Sequence, residues 1–442
     1  MRVFISVGEP SGDLHGANLV RELQSEGVQC VGFGGPRMQE AGCEIYQDLT
    51  PFAVMFLQAL KFIPQMWGHY RQAERIFATG QIDAVVLIDF PGFNWWVAKA
   101  AKRHGVPVFY YGVPQMWGWL PWRVRKLRRL VNHVLCKLPF EVPWFAARGV
   151  SANYVGHPYF DELHTRQLDP EFLQEYGDQR RPLITLLPGS RDQEVRGNLE
   201  WLLETALRIK QEVPAVSFAV ACYHPAQAEY VREVVAAGHL PIDVFVKRTP
   251  ELIELSTMCV ACSGSVSLEL MYHLKPSIIV YRLKRVQAIL KWFVMTCRFI
   301  TLVNLLATDD ISRRAGRAGE ATGGDPSVPF PEFAWQKNPA PEMSAIAVQW
   351  LQNPEELERR RQQLVQLKAK YAIPGASVRA ARYVLEQLKS SRAGAAGVAG
   401  EAMAADGADD DLPASVSVAA ATIARQVRFQ SPASGSTGRR AA

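Results

Sequence analysis

The feature that most constrains this chain is a unit that recurs along it: a short apolar run stops at a turn rich in glycine, proline or serine, and a helical spacing follows. Val3 to Val7 meets Gly8-Glu9-Pro10-Ser11-Gly12-Asp13, and Leu19 and Leu23 then mark a helix. Val31-Gly32-Phe33 runs into Gly34-Gly35-Pro36, Ala84 to Asp89 into Phe90-Pro91-Gly92, and Val106 to Tyr111 into Gly112. Strands that are apolar at successive positions are covered on both faces, and helices alternating with them make the sheet parallel. Beyond Asp161 to Asp178, which lacks long apolar runs, the pattern resumes. Leu183 to Leu187 precedes Pro188-Gly189-Ser190-Arg191, Val216 to Cys222 follows a helix, and Met258 to Ala261 precedes Ser263-Gly264-Ser265. The expected fold is α/β, with two domains of similar size whose ligands lie at the C-terminal ends of the strands.

A length of 442 residues, 48% of them hydrophobic, accommodates two or three domains with cores of their own. Pro354 to Leu388 reads as helical, and Ser390 to Ala442, dominated by Ala, Gly and Ser with Phe429 its one aromatic, reads as a disordered tail. Thr308 to Asp325, polar and rich in Gly and Arg, reads as a flexible loop. The seven cysteines are odd in number and scattered through apolar runs, which suits reduced, buried thiols in the cytosol. Cys259 and Cys262 form a C-x-x-C, yet no second pair or His cluster accompanies it, so no metal or redox role is expected. The opening apolar run is too short for a signal peptide, and export is not expected.

Asp89 ends an apolar run and so falls at the C-terminal edge of a central strand, where a general base would be useful; an Asp capping the next turn is the alternative. Arg191 holds the equivalent edge of the second domain. It is either a forked ligand for phosphate, approached closely because Gly189 and Ser190 precede it, or a solvated loop residue. Ser263, Gly264 and Ser265 open a helical spacing over Val266 to Leu274 and could offer free amides to a pyrophosphate, although Ser is also an ordinary N-cap. Glu269, about one turn further on, could reach a ribose or simply face solvent. His15 and His157 read as structural. With no H-E-x-x-H, Walker A or G-x-S-x-G, metal hydrolase and P-loop readings lose their support.

Pro51 to Trp67 is apolar but interrupted by Gln58, Lys61 and Pro64, too short and broken to span a bilayer. Trp95, Trp96, Trp117, Trp119 and Trp122 follow, and Arg123 to Arg129 then brings five positive charges. Leu283 to Phe299 repeats the mixture. Aromatic residues beside a basic helix suit an anionic membrane surface, whereas nucleic-acid binding would leave the apolar run unexplained.

In order along the chain, Gly8-Glu9-Pro10-Ser11-Gly12-Asp13, Gly35-Pro36-Arg37-Met38, Ile88-Asp89-Phe90-Pro91-Gly92-Phe93-Asn94, Pro114-Gln115-Met116-Trp117-Gly118-Trp119, Leu138-Pro139-Phe140-Glu141, Val155-Gly156-His157-Pro158, Leu187-Pro188-Gly189-Ser190-Arg191 and Asn304-Leu305-Leu306-Ala307 together resemble the lipid-A-disaccharide synthase family. The resemblance covers roughly Val3 to Leu388. It implies a GT-B fold, with an acceptor domain over 1–165 facing the membrane, a UDP-sugar domain over 166–355 carrying an insertion at 308–330, crossing helices over 356–389 and a tail over 390–442. It also implies an inverting, UDP-sugar-dependent transfer from UDP-2,3-diacylglucosamine to 2,3-diacylglucosamine 1-phosphate (lipid X) at the inner face of the bacterial inner membrane. No Asp-x-Asp motif stands near the Arg191 or Ser263 loops, so no metal is expected there. Asp89 and Arg191 match residues the family needs for activity, Gly189, Ser190, Ser263, Gly264, Ser265 and Glu269 fall where GT-B enzymes hold the nucleotide, and Ser11, Gly12, Asp13, Asn94, Asn304, Glu332 and Gln336 fall in its other motifs. Gly92 departs from the family's Pro-Asp-Phe-Asn, so a second carboxylate there is dispensable. Another GT-B enzyme, such as a UDP-sugar epimerase, or a non-catalytic lipid-binding protein are the competing readings.

Overall fold

The structure, a computed structural model, describes residues 1–52, 63–177, 181–282, 295–312, 328–333 and 337–406. Two parallel sheets carry the architecture. The first holds β1 (Arg2–Ser6), β2 (Gln29–Gly34), β3 (Glu44–Asp48), β4 (Ala84–Ile88), β5 (Val108–Tyr111), β6 (His133–Cys136) and β7 (Ala152–Tyr154) in the order β3-β2-β1-β4-β5-β6-β7. The second holds β8 (Leu183–Leu187), β9 (Ser217–Cys222), β10 (Ile242–Val246), β11 (Met258–Cys262), β12 (Ser277–Val280) and β13 (Glu332–Phe333) in the order β10-β9-β8-β11-β12-β13. Every pairing in both is parallel, and the runs expected from their apolar continuity are central strands, with β4, β8 and β11 fully buried. In each sheet the strand order reverses direction once, between β1 and β4 and between β8 and β11. Such switch points open a crevice at the strands' C-terminal ends.

Helices cover both sheets. Phe4 on β1 meets Phe33 and Phe77 edge-on in the first core, while Trp350, Phe218 and Trp201 fill the second. The Pro114 to Trp119 segment does not stay with its own sheet. Trp117 packs among Leu268, Met295 and Phe299, the Thr296 amide donates to the Gly118 carbonyl at 3.0 Å, and Trp119 forms an antiparallel bridge with Met295.

The chain divides into two compact units, Met1–Leu385 and Glu386–Ala442, and both sheets belong to the first. The expected long helical stretch is broken near Gly375 into the helices Pro354–Tyr371 and Ala376–Asp406. The Asp161 carboxylate accepts the amides of Gly375, Ala376 and Ser377 at 2.6, 3.0 and 2.9 Å. The Tyr383 hydroxyl then meets Asn153 at 2.8 Å and His133 at 3.2 Å, which returns the start of the last helix to the first sheet. In the second unit, Ser390–Asp406 is helical where disorder was expected, since its many alanines favour helix despite three glycines; 407–442 lies outside the described residues. The end of the presumed insertion is not loose either: Val328 and Phe330 are core residues, and Phe330 exchanges hydrogen bonds with Asn304. No helix among the described residues is long and apolar enough to cross a membrane.

Candidate active site

At the switch point of the first sheet, Asp89 follows β4 and opens the turn into the helix Pro91–Arg103. Asp89 and Phe90 both adopt left-handed backbone, with φ of 44° and 42°, a conformation that costs a non-glycine residue roughly a kilocalorie and needs support. The support is visible. The Asp89 carbonyl accepts the Asn94 side-chain amide at 2.9 Å and the Tyr110 hydroxyl at 2.8 Å, and Ser6 donates to Asn94 Oδ1 at 2.7 Å. The carboxylate itself stays 26% exposed and takes the Lys137 ammonium at 2.9 Å. Asn94 is therefore a buried support of the Asp89 turn.

Glu9, at the neighbouring turn after β1, is a site residue that the sequence argument passed over. Its pKa is raised by burial and by the Asp89 charge, against the opposing pull of Arg191 and Lys137. Glu9 thus lies within electrostatic range of Asp89 at the edge of the first sheet and of Arg191 at the edge of the second. The signal for it was only its place in the Gly-rich turn. Ser11 is exposed at the first turn of its helix, and Gly12 is buried against Val7. Asp13 is buried too, and caps the helix Pro36–Glu40 by accepting the amides of Gly35, Arg37 and Met38.

His15 and His157 lie behind this edge with ring centroids 6.4 Å apart. Burial, then the Lys137 charge, holds His15 down to about 4, and the same two causes hold His157 well below its usual value. Both are neutral interior residues, as expected.

The second sheet's edge is open by contrast. Arg191 is the N-cap of the helix Asp192–Glu212, its side chain is 64% exposed, and its guanidinium meets Glu194 at 3.0 Å. The amides of Ser190 and Arg191 also donate to Glu194, at 3.2 Å each. Gly189 makes this possible: its φ is 127°, and a Cβ there would come within 2.6 Å of the Glu194 Cβ. A phosphate arriving at this loop meets a cluster of donors that already converges on one carboxylate.

Because β11 adjoins β8, the Ser263 to Ser265 turn lies beside that loop. Gly264 and Ser265 are exposed, and a Cβ on Gly264 would touch nothing. Glu269 is different. Its carboxylate is 5% exposed and held by Arg166 and by the Tyr159 hydroxyl, so it ties the second sheet's helix to the linker after the first sheet. Glu332 is buried on β13, accepting the amides of Ile300 and Thr301 and the side chains of Thr301 and Asn304; burial raises its pKa against those four donors. Asn304 and Glu332 thus brace one another away from solvent. Gln336 lies outside the described residues.

The cysteines are free and buried, with the thiols of Cys259 and Cys262 pushed up to about 12, chiefly by burial. The aromatic series expected at a surface divides. Trp95 and Trp117 are core, whereas Trp67, Trp119 and Trp122 are exposed, at 51% for Trp67 and 62% for Trp122. On the helix Val124–Leu130, Val124, Leu127 and Leu130 face inward and Arg125, Lys126, Arg128 and Arg129 face out. Residues 53–62, with Val54, Met55, Phe56 and Leu57, and residues 283–294 lie outside the described residues.

A family model described as lipid-A-disaccharide synthetase matches residues 3–318. The chain belongs to that family. It is 35% identical over 316 residues to the lipid-A-disaccharide synthase of Trichlorobacter lovleyi, covering 71% of this chain and 82% of that protein. The family likeness reaches further along the chain in the lipid-A-disaccharide synthase of Geobacter sulfurreducens, 30% identical over 391 residues, with 88% of this chain and 97% of that protein covered. Among solved structures, a putative UDP-N-acetylglucosamine 2-epimerase from Listeria monocytogenes superposes with a TM-score of 0.57 at 14% identity, covering 88% of this chain and 96% of that one. That likeness speaks for the fold, the GT-B pairing of two parallel-sheet domains that this family uses, and not for an activity.

Proposed function

We propose that the chain is an inverting glycosyltransferase that moves the glucosaminyl group of UDP-2,3-diacylglucosamine to the 6-hydroxyl of 2,3-diacylglucosamine 1-phosphate and releases UDP. The observation that carries this reading is that Glu9 lies within electrostatic range of both Asp89 and Arg191, in a chain of the lipid-A-disaccharide synthetase family. Asp89 takes the proton from the acceptor hydroxyl as its oxygen attacks the sugar C1 from the face opposite UDP. Arg191, with the amides of Ser190 and of the Ser263 to Ser265 turn, receives the charge that builds on the departing diphosphate, in place of a metal ion. Glu194 must then release its donors as the phosphate arrives. Glu269 lies beside the nucleotide and fixes the geometry of that wall through Arg166 and Tyr159.

Both lipid substrates reside in a membrane, and the first domain offers a way to reach it. Trp67 contacts Trp96 with ring centroids 5.8 Å apart, and Lys126 lies 5.2 Å from the centre of the Trp95 ring, so exposed aromatic and basic residues sit on neighbouring helices. The Pro51 to Trp67 segment and the Arg123 to Arg129 cluster together give reversible peripheral docking on the anionic inner face of the bacterial inner membrane. Purified protein incubated with the two diacylglucosamine substrates should yield disaccharide and UDP in equal amounts. UDP-sugar turnover without disaccharide would favour an epimerase instead.

A further inference from the structure

Asp89 stands at the end of β4 and Lys137 at the end of β6, with β5 between them. Ile88 pairs with Tyr111, and Tyr111 with Leu135, so the residue that separates the two side chains at the rim is Gly112. Its φ is 69°, and a Cβ at that position would lie 2.8 Å from Lys137 Cε and 2.9 Å from Nζ. The missing side chain is the path by which the ammonium crosses a whole strand to reach Asp89 Oδ1 at 2.9 Å. Lys137 is itself largely enclosed, its side chain 17% exposed. An enclosed ammonium is costly unless paired, and burial alone would lower its pKa; the Asp89 carboxylate reverses this and raises it.

The other titratable groups do not offer Lys137 an equivalent partner. Glu9, from the turn after β1, carries a raised pKa, and Glu141, from the helix after β6, is occupied by Trp117 Nε1 at 2.9 Å and the Leu138 amide at 2.9 Å. His15 from the first helix and His157 from the turn after β7 are held neutral. Tyr110 from β5 donates to the Asp89 carbonyl, and Arg191 acts from the second sheet.

We propose that Lys137 is the positioning residue for Asp89: reaching over Gly112, its ammonium holds the carboxylate in place for the proton it takes from the acceptor. This rests on the reading of Asp89 as the base. The test is the pH dependence of kcat/KM for disaccharide formation in Lys137→Met and Gly112→Ala, with Asp89→Asn in parallel, each full-length and checked for a cooperative melt and UDP binding. Lys137→Met should move the acid limb of the curve upward by roughly one unit or more, because the cation beside the carboxylate is gone. Its kcat should recover most of the wild-type value above the shifted limb, with UDP affinity unchanged. Gly112→Ala should move the limb the same way while keeping every charge in the chain. An unmoved limb in folded Lys137→Met, or an equal loss at all pH values, overturns the proposal and leaves Lys137 a structural residue. Should Lys137→Met lose its melt, Gly112→Ala decides by the same criterion. Retained activity in Asp89→Asn would instead remove the base reading itself, and this proposal with it.

Discussion

The two strand edges that form the cleft are built on opposite plans. Around Asp89 the chain accepts two successive left-handed residues, and holds them with Asn94, Tyr110, Ser6 and Lys137, most of them buried. Around Arg191 and Ser263 to Ser265 the loops are exposed, and the donors converge on Glu194, a residue of the same loop-helix junction. Proton abstraction from a hydroxyl depends steeply on the placement of one oxygen, which suits the first plan. A diphosphate that must enter and leave at every cycle suits the second, since its ligands can exchange the Glu194 carboxylate for the incoming phosphate.

The contrast can be broken by experiment. The largest effect is expected at the rigid edge: Asp89→Asn should lower turnover by roughly 100- to 10,000-fold while leaving the melt and UDP binding intact. Activity within a few-fold of wild type at saturating substrate would end the idea that this edge holds the base. Arg191→Ala should cost about 100-fold or more in kcat/KM, and Arg191→Lys should restore only part, because an ammonium lacks the guanidinium fork. Full restoration would mean that the open edge acts by charge alone.

A smaller effect should appear in stability, again at the rigid edge. His15 is held neutral, down to about 4, by burial first and then by Lys137, and its Nδ1 finds no partner among the described residues. A histidine whose folded pKa lies below its unfolded value binds protons preferentially when unfolded. Stability should therefore fall as the pH drops from about 6.5 towards about 4, by up to about 3 kcal/mol from this group. His15→Leu should flatten that slope in denaturant titrations; an unchanged slope would place the acid sensitivity elsewhere. The smallest effect is none at all. With Arg191 and loop amides carrying the phosphate charge, EDTA should leave the initial rate unchanged, and a loss restored by Mg²⁺ would show that the open edge works through a cation.

The sequence made the rigid edge legible in part. Ala84 to Asp89 announces a buried strand and its terminal carboxylate because a strand covered on both faces is apolar throughout. Lys137 carried no such mark: its meaning depends on a strand order in which β5 lies between two segments far apart in sequence. The same holds for Glu269, whose partner Arg166 is 103 residues away. At the open edge, Gly189, Ser190 and Arg191 were legible as a turn following a buried strand, yet Glu194 as the partner of their donors was not. Edge strands escaped for a different reason. β3 is largely polar, β7 has only three residues and β13 pairs through only two, so neither apolar continuity nor length distinguishes them from loops.

The Trp117 segment has a consequence for how the molecule is made. Its indole belongs to a core completed by residues around Thr296, which lies 179 residues further along the chain and whose hydroxyl bonds the Trp117 carbonyl. On a ribosome adding roughly 5 to 20 residues each second, the first sheet, whose last strand ends at Tyr154, is synthesised about seven to thirty seconds before that cover. During the interval Trp117 has its partners from the first half, Glu141 and Phe140, but not the residues around Thr296 that complete its core. A fragment cut between the two sheets would lack that part of the core.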